Sequence, residues 1–184
     1  MTQINQRENY NRVTNILYPF SGLEKIPSDV LANAAQRGTK VHNICEGIIS
    51  GLGELGVDHE TKPYVESFKQ WWEDGHTVVK MEERFYDDEL KLTGQVDLIL
   101  DTPEGLAVVD LKTSRSPGKT WPAQGSAYGY LARKAGYDIK KIYFVHLLRT
   151  GKLARVIEYP ADDSFFLSIF RVWKHFYEPK TKQS

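Results

Sequence analysis

Two short apolar runs on either side of a turn mark the middle of the chain. They are "GQVDLIL" at 94–100 and "LAVVDL" at 106–111, and both have the length and aliphatic content of buried strands. Between them, Thr102-Pro103-Glu104-Gly105 has proline at the second turn position and glycine at the fourth, as in a type I turn. The pattern predicts a β-hairpin.

Each run carries an aspartate at a position where a buried strand favours an apolar residue. If Asp101 faces Leu106 across the hairpin, Asp97 faces Asp110, and Lys112 projects from the same face as Asp110 because strand side chains alternate. Alternatively, a bulge with positive φ at Gly105 would shift the pairing by one residue and separate the two aspartates.

Facing side chains on neighbouring strands lie only ~5 Å apart, so two carboxylates there repel each other. Unpaired buried charge costs several kcal/mol, which protonation, cationic neighbours or a metal ion would relieve. Mg²⁺ binds carboxylate oxygens, keeps several waters, and so can accept phosphate oxygens. A structural ion pair between Lys112 and Asp110 explains the same residues without a metal, and both interpretations remain open at this point.

The first long helical pattern spans residues 29–52. Ser28 is its predicted cap, Arg37-Gly38-Thr39 is predicted to interrupt it, and Thr39 is the second cap. An apolar stripe from Val41 to Leu52 follows, and His42 and Glu46 lie beside it on one face because they are four residues apart.

The other elements follow from periodicity and from glycine and proline positions. They are a helix from Pro63 to Gly75, a strand at Thr77–Tyr86, a helix from Pro122 to Gly136 with Gln124 and Tyr128 on one face, a hairpin of Lys141–Leu148 and Leu153–Tyr159, and an amphipathic helix at Asp162–Tyr177 packed on the sheet. This order predicts an α/β fold: a mixed central β-sheet flanked by α-helices. We expect residues 1–184 to form a single domain, with 1–27 as an N-terminal lead-in and 179–184 as a disordered tail.

Composition limits the classes of function. No apolar run approaches the ~20 residues that span a bilayer, and the N-terminal stretch lacks the apolar centre of a secretory signal, so an intracellular, cytoplasmic protein without membrane contact is expected. The single Cys45 excludes an internal disulfide framework, a four-cysteine zinc site and an iron–sulfur cluster held by this chain alone. On the apolar stripe, Cys45 is predicted to be a buried thiol.

Charge is balanced overall, with 24 basic and 24 acidic residues, but it is segregated along the chain. Residues 71–110 hold eleven acidic and three basic residues, whereas 111–155 hold ten basic residues and one acidic residue. Basic groups around the carboxylates would draw a polyanion over a cation-binding cleft. Two separate solvated faces of opposite sign would produce the same pattern.

Five short motifs in a fixed order resemble a known family. They are "RGTKVHNICE", "KMEERF", "LTGQVDLIL", "AVVDLKTS" and "QGSAY", running from about Gly38 to Tyr128. The chain thereby resembles the RecB-type branch of the PD-(D/E)XK nuclease superfamily and is similar to small viral and mitochondrial genome maintenance exonucleases. The resemblance implies a restriction-endonuclease-like core and hydrolysis of DNA phosphodiester bonds with one or two Mg²⁺ or Mn²⁺ ions.

The resemblance also implies roles for individual residues. His42, Asp97, Asp110 and the backbone carbonyl of Leu111 become metal ligands, and Lys112 becomes the residue that orients the attacking water or stabilises developing charge. Gln124 and Tyr128 support that lysine and contact DNA, Arg115 and Lys119 are further DNA-binding candidates, and Glu46 and Glu83 are candidates for outer contacts to the metal site. Val96 replaces the proline of the family name, and the cysteines of the iron–sulfur subtypes are absent.

The sequence therefore predicts a metal-dependent DNA nuclease. By resemblance it is an exonuclease rather than an endonuclease and acts in repair, recombination or replication, and the similarity to viral exonucleases is compatible with a viral origin. A catalytically silent nucleic-acid-binding module of the same fold is one alternative. Another is a nucleotide-binding protein using "SPGKT" at 116–120, although that motif requires glycine where Thr113 stands.

Overall fold

The computed structural model describes residues 9–73 and 75–178. Among the described residues, no helix combines the length and apolar character needed to cross a bilayer. The described chain forms a mixed sheet of six strands with five α-helices, and this confirms the predicted fold class. In chain order the elements are β1 (Asn11–Arg12), α1 (Val13–Ser21), α2 (Ser28–Ile49), α3 (Lys62–Trp72), β2 (Thr77–Asp87), β3 (Leu92–Thr102), β4 (Gly105–Lys112), α4 (Trp121–Lys134), β5 (Ile139–His146), β6 (Arg155–Tyr159) and α5 (Asp163–Phe176).

β3 lies at the centre of the strand arrangement. One of its edges pairs with antiparallel β2 along its whole length. Its other edge pairs with β1 at Leu92 and Thr93 and with β4 from Leu98 onward, and β5 and β6 continue the sheet beyond β4. Within the described chain, residues 94–97 therefore have no strand partner on that second edge.

The hairpin of β3 and β4 has the predicted register. Asp101 pairs with Leu106 and Leu98 pairs with Val109, so the alternative bulge is wrong even though Gly105 has φ of 105°. The last of these pairs lies one residue short of Asp97 and Asp110.

Helix α2 runs without interruption from Ser28 to Ile49, so the predicted break at Arg37-Gly38-Thr39 and the second cap at Thr39 are wrong. Glycine lowers helix propensity by only about 1 kcal/mol relative to alanine, and tertiary packing overrides it here. Ser28 begins the helix without a capping side-chain hydrogen bond, and the helix stops three residues before the predicted end at Leu52, which is exposed.

The N-terminal residues are more than a lead-in. Within 1–27 the structure forms β1 and α1, and the side chains of Val13, Ile16 and Leu17 on α1 are fully buried in the core. The predicted tail at 179–184 lies outside the described residues.

The sheet has a hydrophobic core on each face. Helices α1, α4 and α5 cover one face, with Leu131, Phe144 and Phe166 in its core, and α2 and α3 cover the other, with Phe68 and Val145. The aromatic helix α5 lies against α4, where Ser126 Oγ accepts the Phe166 N–H at 3.1 Å and donates to the Asp162 carbonyl at 2.5 Å. Cys45 on α2 is buried, as predicted.

Candidate active site

Asp97 lies where β3 and β4 part. Beyond the Leu98 and Val109 pair, the Leu111 N–H donates to Asp97 Oδ2 at 2.7 Å instead of to a backbone carbonyl of β3. The carboxylate therefore occupies the opening between the strands, beside the peptide that joins Asp110 to Leu111.

The alternation of side chains changes phase at this point. On β3, Val96 packs in the core under α4 while Leu98 packs in the core under α2, although residues two apart normally share a face. On β2, Phe85 and Met81 show the same exchange, and Glu82 between them has φ of 51°. A non-glycine residue in the left-handed region is a strained feature that clusters at functional sites.

Helix α2 contributes His42 to this opening. Its Nε2 donates to the Leu111 carbonyl at 3.0 Å, and its Nδ1 lies 3.6 Å from Asp97 Oδ1. One ligand atom each from His42, Glu82 and Asp97 lies within 4.8 Å of the others, so these three side chains form a group that could hold a metal ion. The Leu111 carbonyl adds an oxygen beside them.

The charges of His42, Asp97 and Glu82 shift one another's pKa values. Burial lowers the pKa of His42, but the Asp97 charge and hydrogen bond outweigh this and raise it to about 9. Burial raises the pKa of Asp97, yet the adjacent imidazole and Lys112 hold it below its usual range. Burial and the Asp97 charge raise the pKa of Glu82.

Asp110 is the most deeply buried carboxylate of the site, with 4% of its side chain exposed. Lys112 Nζ lies 2.5 Å from its Oδ2, so the two side chains form the ion pair that the sequence also allowed. Burial raises the pKa of Asp110 to about 6 with help from the Asp97 charge, while Lys112 opposes the rise. Asp110 is not part of the group formed by His42, Glu82 and Asp97.

Gln124 and Tyr128 form the pair expected from their spacing on α4. Gln124 Nε2 donates to the Tyr128 hydroxyl at 2.9 Å and lies 3.5 Å from Asp110 Oδ1. Both side chains are buried, and burial together with the Asp110 charge raises the pKa of Tyr128. The pair thus lines the Asp110 side of the site, with less than a tenth of either residue exposed.

The remaining candidate residues differ in how close they lie to the group formed by His42, Glu82 and Asp97. Glu46 lines a small cavity with His42, Glu82 and Asp97, whereas Glu83 pairs with Val96 and is not in the acidic group. Arg115 and Lys119 are exposed on the loop between β4 and α4. The structure thus brings together His42, Asp97, Leu111 and the unpredicted Glu82, beside the Asp110, Lys112, Gln124 and Tyr128 group.

Comparison with known proteins assigns the chain to a family. The sequence profile of the PD-(D/E)XK nuclease superfamily matches residues 21–173, which is most of the chain, so the protein belongs to this superfamily of nucleases. Among curated proteins, none matches the sequence.

Two solved structures share the fold. A protein from Eubacterium rectale named "Putative exonuclease" is 15% identical, with a TM-score of 0.59 over 96% of this chain and 83% of that chain. A protein named SSO0001 is 17% identical, with a TM-score of 0.50 over 96% of this chain and 79% of that chain.

Proposed function

We propose that the protein is a Mg²⁺- or Mn²⁺-dependent DNA nuclease. The observation that carries the proposal is the meeting of Asp97, Glu82, His42 and the Leu111 carbonyl in the opening between β3 and β4, in a chain of the PD-(D/E)XK superfamily. Carboxylate and carbonyl oxygens suit hard divalent ions, and imidazole is compatible with Mn²⁺.

The buried polar atoms of the site fit a bound cation. Asp110 Oδ2 is a fully buried carboxylate oxygen paired with the Lys112 ammonium at 2.5 Å, and the ligand atoms of His42, Glu82 and Asp97 lie within 4.8 Å of one another. We assign Asp97, Asp110, the Leu111 carbonyl and His42 to ligation of one or two ions, with Glu82 as an added ligand. Glu46 and Glu83 remain candidates for contacts outside the ligand shell. A divalent ion there would neutralise charge on the phosphate and lower the pKa of bound water.

The neighbouring side chains would position the reacting groups. Lys112 has 20% of its side chain exposed and lies against Asp110, so it can orient the attacking water or stabilise charge on the phosphate. Gln124 holds Asp110 from the other side, and the Tyr128 hydroxyl accepts from Gln124 and fixes its amide. These buried contacts support positioning rather than broad contact with DNA, which falls to exposed Arg115 and Lys119.

The finer assignment follows the motif order described above. We propose the RecB-type branch, close to small viral and mitochondrial exonucleases, and exonuclease action in DNA repair, recombination or replication inside the cell. The name of the Eubacterium rectale protein supports the exonuclease preference.

The decisive test is digestion of end-labelled linear DNA and closed circular DNA with Mg²⁺, Mn²⁺ or EDTA. We expect cleavage of linear DNA only with metal, and a loss of at least about 100-fold in Asp110→Asn and Lys112→Ala, because each removes a charge next to the reacting phosphate. The matched controls Asp138→Asn and Lys25→Ala change exposed residues and should retain wild-type rates.

Each alternative has its own outcome in this assay. Cleavage of closed circles would replace the exonuclease assignment with an endonuclease. Binding without cleavage under any metal would identify the silent nucleic-acid-binding module, and full activity in both variants would remove the assigned site.

A further inference from the structure

A cavity of ≈ 710 Å³ opens beyond the carboxyl ends of β4 and β5. Apart from Arg115, its lining residues have no role in the site described above, and the lining is polar and basic. The residues that matter here are Arg37, Tyr64, Ser114, Arg115, His146 and Arg149.

The cavity adjoins the candidate active site through two elements. On the sheet, His146 pairs with Lys112, and the Leu147 N–H donates to the Lys112 carbonyl at 2.8 Å. On α2, Arg37 precedes His42 by five residues, an offset of about 7.5 Å along the helix axis. At a rise of about 3.4 Å per nucleotide, this offset corresponds to about two nucleotide steps along a strand held at the metal group.

The lining carries an excess of positive charge. Arg37 Nη1 is paired with Glu60 at 3.3 Å, and its guanidinium lies over the Tyr64 ring at 5.6 Å, so its position is fixed. Arg115 and Arg149 are exposed, and neither has a carboxylate partner within residues 9–73 and 75–178. Two arginines therefore remain free to bind an anion.

Two buried polar atoms of the lining residues also lack partners. Arg37 Nε and His146 Nδ1 have no hydrogen-bond partner in the described part of the chain, although His146 Nε2 bonds the Ser114 carbonyl at 2.6 Å. His146 is only 4% exposed. Buried polar atoms are almost always satisfied in folded proteins by protein groups, water or ligands, so the Arg37 Nε–H is available to an acceptor that enters the cavity.

We propose that this cavity binds a phosphate group of the nucleic-acid strand, about two nucleotides from the scissile bond. The inference rests on the proposed nuclease function, because the strand must first occupy the metal group. Arginine is the side chain suited to phosphate, since its planar fork donates two parallel hydrogen bonds to a pair of phosphate oxygens. The phosphate is either an internal diester or the monoester at a strand end.

The test measures binding rather than cleavage. Asp110→Asn protein with Ca²⁺ is titrated with a fluorescent oligonucleotide over a range of salt concentrations, and Arg149→Gln and Arg37→Gln are compared in this background. We expect each change to weaken binding about 5- to 20-fold and to reduce the magnitude of the salt slope by about 0.7 to 0.9, as loss of one phosphate contact predicts. Arg171→Gln on α5 is the matched control, an exposed arginine away from the cavity, and it should stay within about twofold.

Three probes distinguish the source of the phosphate: a 5′-phosphate end, a 3′-phosphate end, and hydroxyl ends only. A loss confined to one phosphorylated probe identifies a terminal monoester, and an equal loss with all three identifies an internal diester. Unchanged affinity and salt slope in both arginine variants would overturn the proposal.

The same variants distinguish a loss of binding from a loss of folding, and the phosphate site from the nuclease activity. Arg149 is exposed, so Arg149→Gln should keep the wild-type melting temperature even if Arg37→Gln does not. If wild-type protein binds DNA through these arginines but cleaves none, the nuclease proposal fails while the phosphate site stands. If it cleaves DNA and the arginine variants bind normally, only the phosphate site fails.

Discussion

Glu82 is the residue of the candidate site that alternation along a strand does not reveal. "KMEERF" places Glu82 and Glu83 next to each other, and regular alternation would give one glutamate to each face of the sheet. The positive φ at Glu82 changes the phase of the strand and brings its carboxylate to Asp97 and His42.

This geometry predicts that the two glutamates differ in metal binding. Glu82→Gln should weaken Mn²⁺ affinity at least about tenfold because it removes a charged ligand, whereas Glu83→Gln should change it less than about threefold. Isothermal titration of Mn²⁺ into each purified variant measures both values. A larger loss in Glu83→Gln would place Glu83 rather than Glu82 in the ligand shell.

Gly94 is a second residue whose importance is steric. A Cβ there would lie 2.9 Å from Tyr128 Cε1 and 3.0 Å from Leu131 Cδ1, so β3 can approach α4 only with glycine at this position. We expect Gly94→Ala to lower the free energy of unfolding by about 1 to 3 kcal/mol through overpacking. Urea denaturation measures the change, and unchanged stability would show that the Tyr128 ring relaxes at no cost.

The sequence was sufficient to predict a site residue where that residue differs in character from its neighbours along the chain. Asp97 and Asp110 stand out because a charge interrupts an apolar run, and the i, i+4 spacing of Gln124 and Tyr128 predicts the hydrogen bond that the structure contains. It was insufficient where tertiary structure selects between neighbours, as at Glu82 and Glu83, or gathers distant residues, as with Arg37 and Arg149.

Among the helices and strands, the main difference between the predicted and the observed structure arises at a glycine. Gly38 predicted a break in α2, but the helix passes through it, and a Cβ at Gly38 would meet Thr113 Oγ1 at 3.5 Å, an ordinary contact. Glycine and alanine therefore both fit sterically at position 38, and only their helix propensities distinguish them.

We expect Gly38→Ala to raise the free energy of unfolding by about 0.5 to 1 kcal/mol, because alanine loses less backbone entropy in a helix. Gly125→Ala is the matched comparison on α4, where a Cβ would lie 2.6 Å from Ile142 Cγ2, and it should destabilise the protein. Thermal unfolding followed by circular dichroism distinguishes the two signs. Destabilisation by Gly38→Ala would indicate that α2 needs closer contact with the sheet than this structure shows.

The N-terminal elements escaped prediction for a different reason. β1 has two residues and α1 has nine, including Pro19, so neither presents enough periodic positions to stand out. Their stability comes from burial of Val13, Ile16 and Leu17 in a core supplied by α4 and α5, which lie more than a hundred residues later in the chain.

At the scale of the whole molecule, the two charged blocks of the sequence partly neutralise each other. Lys134 on α4 pairs with Asp87 at the end of β2, and Lys141 on β5 lies near Glu104. Arg115 and Arg149 from the same basic block remain unpaired within the described chain and line the cavity beside the candidate active site. A net charge of zero thus coexists with a basic surface at the place where a polyanion would bind.

Asp87 of the acidic block pairs with Lys134 of the basic block. Through this carboxylate, the free energy of unfolding should depend on pH. Its side chain is fully buried, accepts the Tyr130 hydroxyl at 2.5 Å, and pairs with Lys134 at 3.0 Å. Burial raises the pKa of Asp87, but the Tyr130 hydroxyl, backbone N–H groups of Glu89 and Leu90, and Lys134 outweigh it and hold the pKa below its usual range.

A carboxyl group whose pKa is depressed by folding stabilises the protein above its unfolded pKa, and this contribution is lost as pH falls through the lower folded pKa. Asp87→Asn should therefore cost about 3 kcal/mol at pH 7, and the difference from wild type should shrink as pH falls below about 4. Urea unfolding at a series of pH values measures both, with exposed Asp138→Asn as the control. A difference that stays constant down to pH 2.5 would mean that Asp87 acts through packing and neutral hydrogen bonds rather than through its charge.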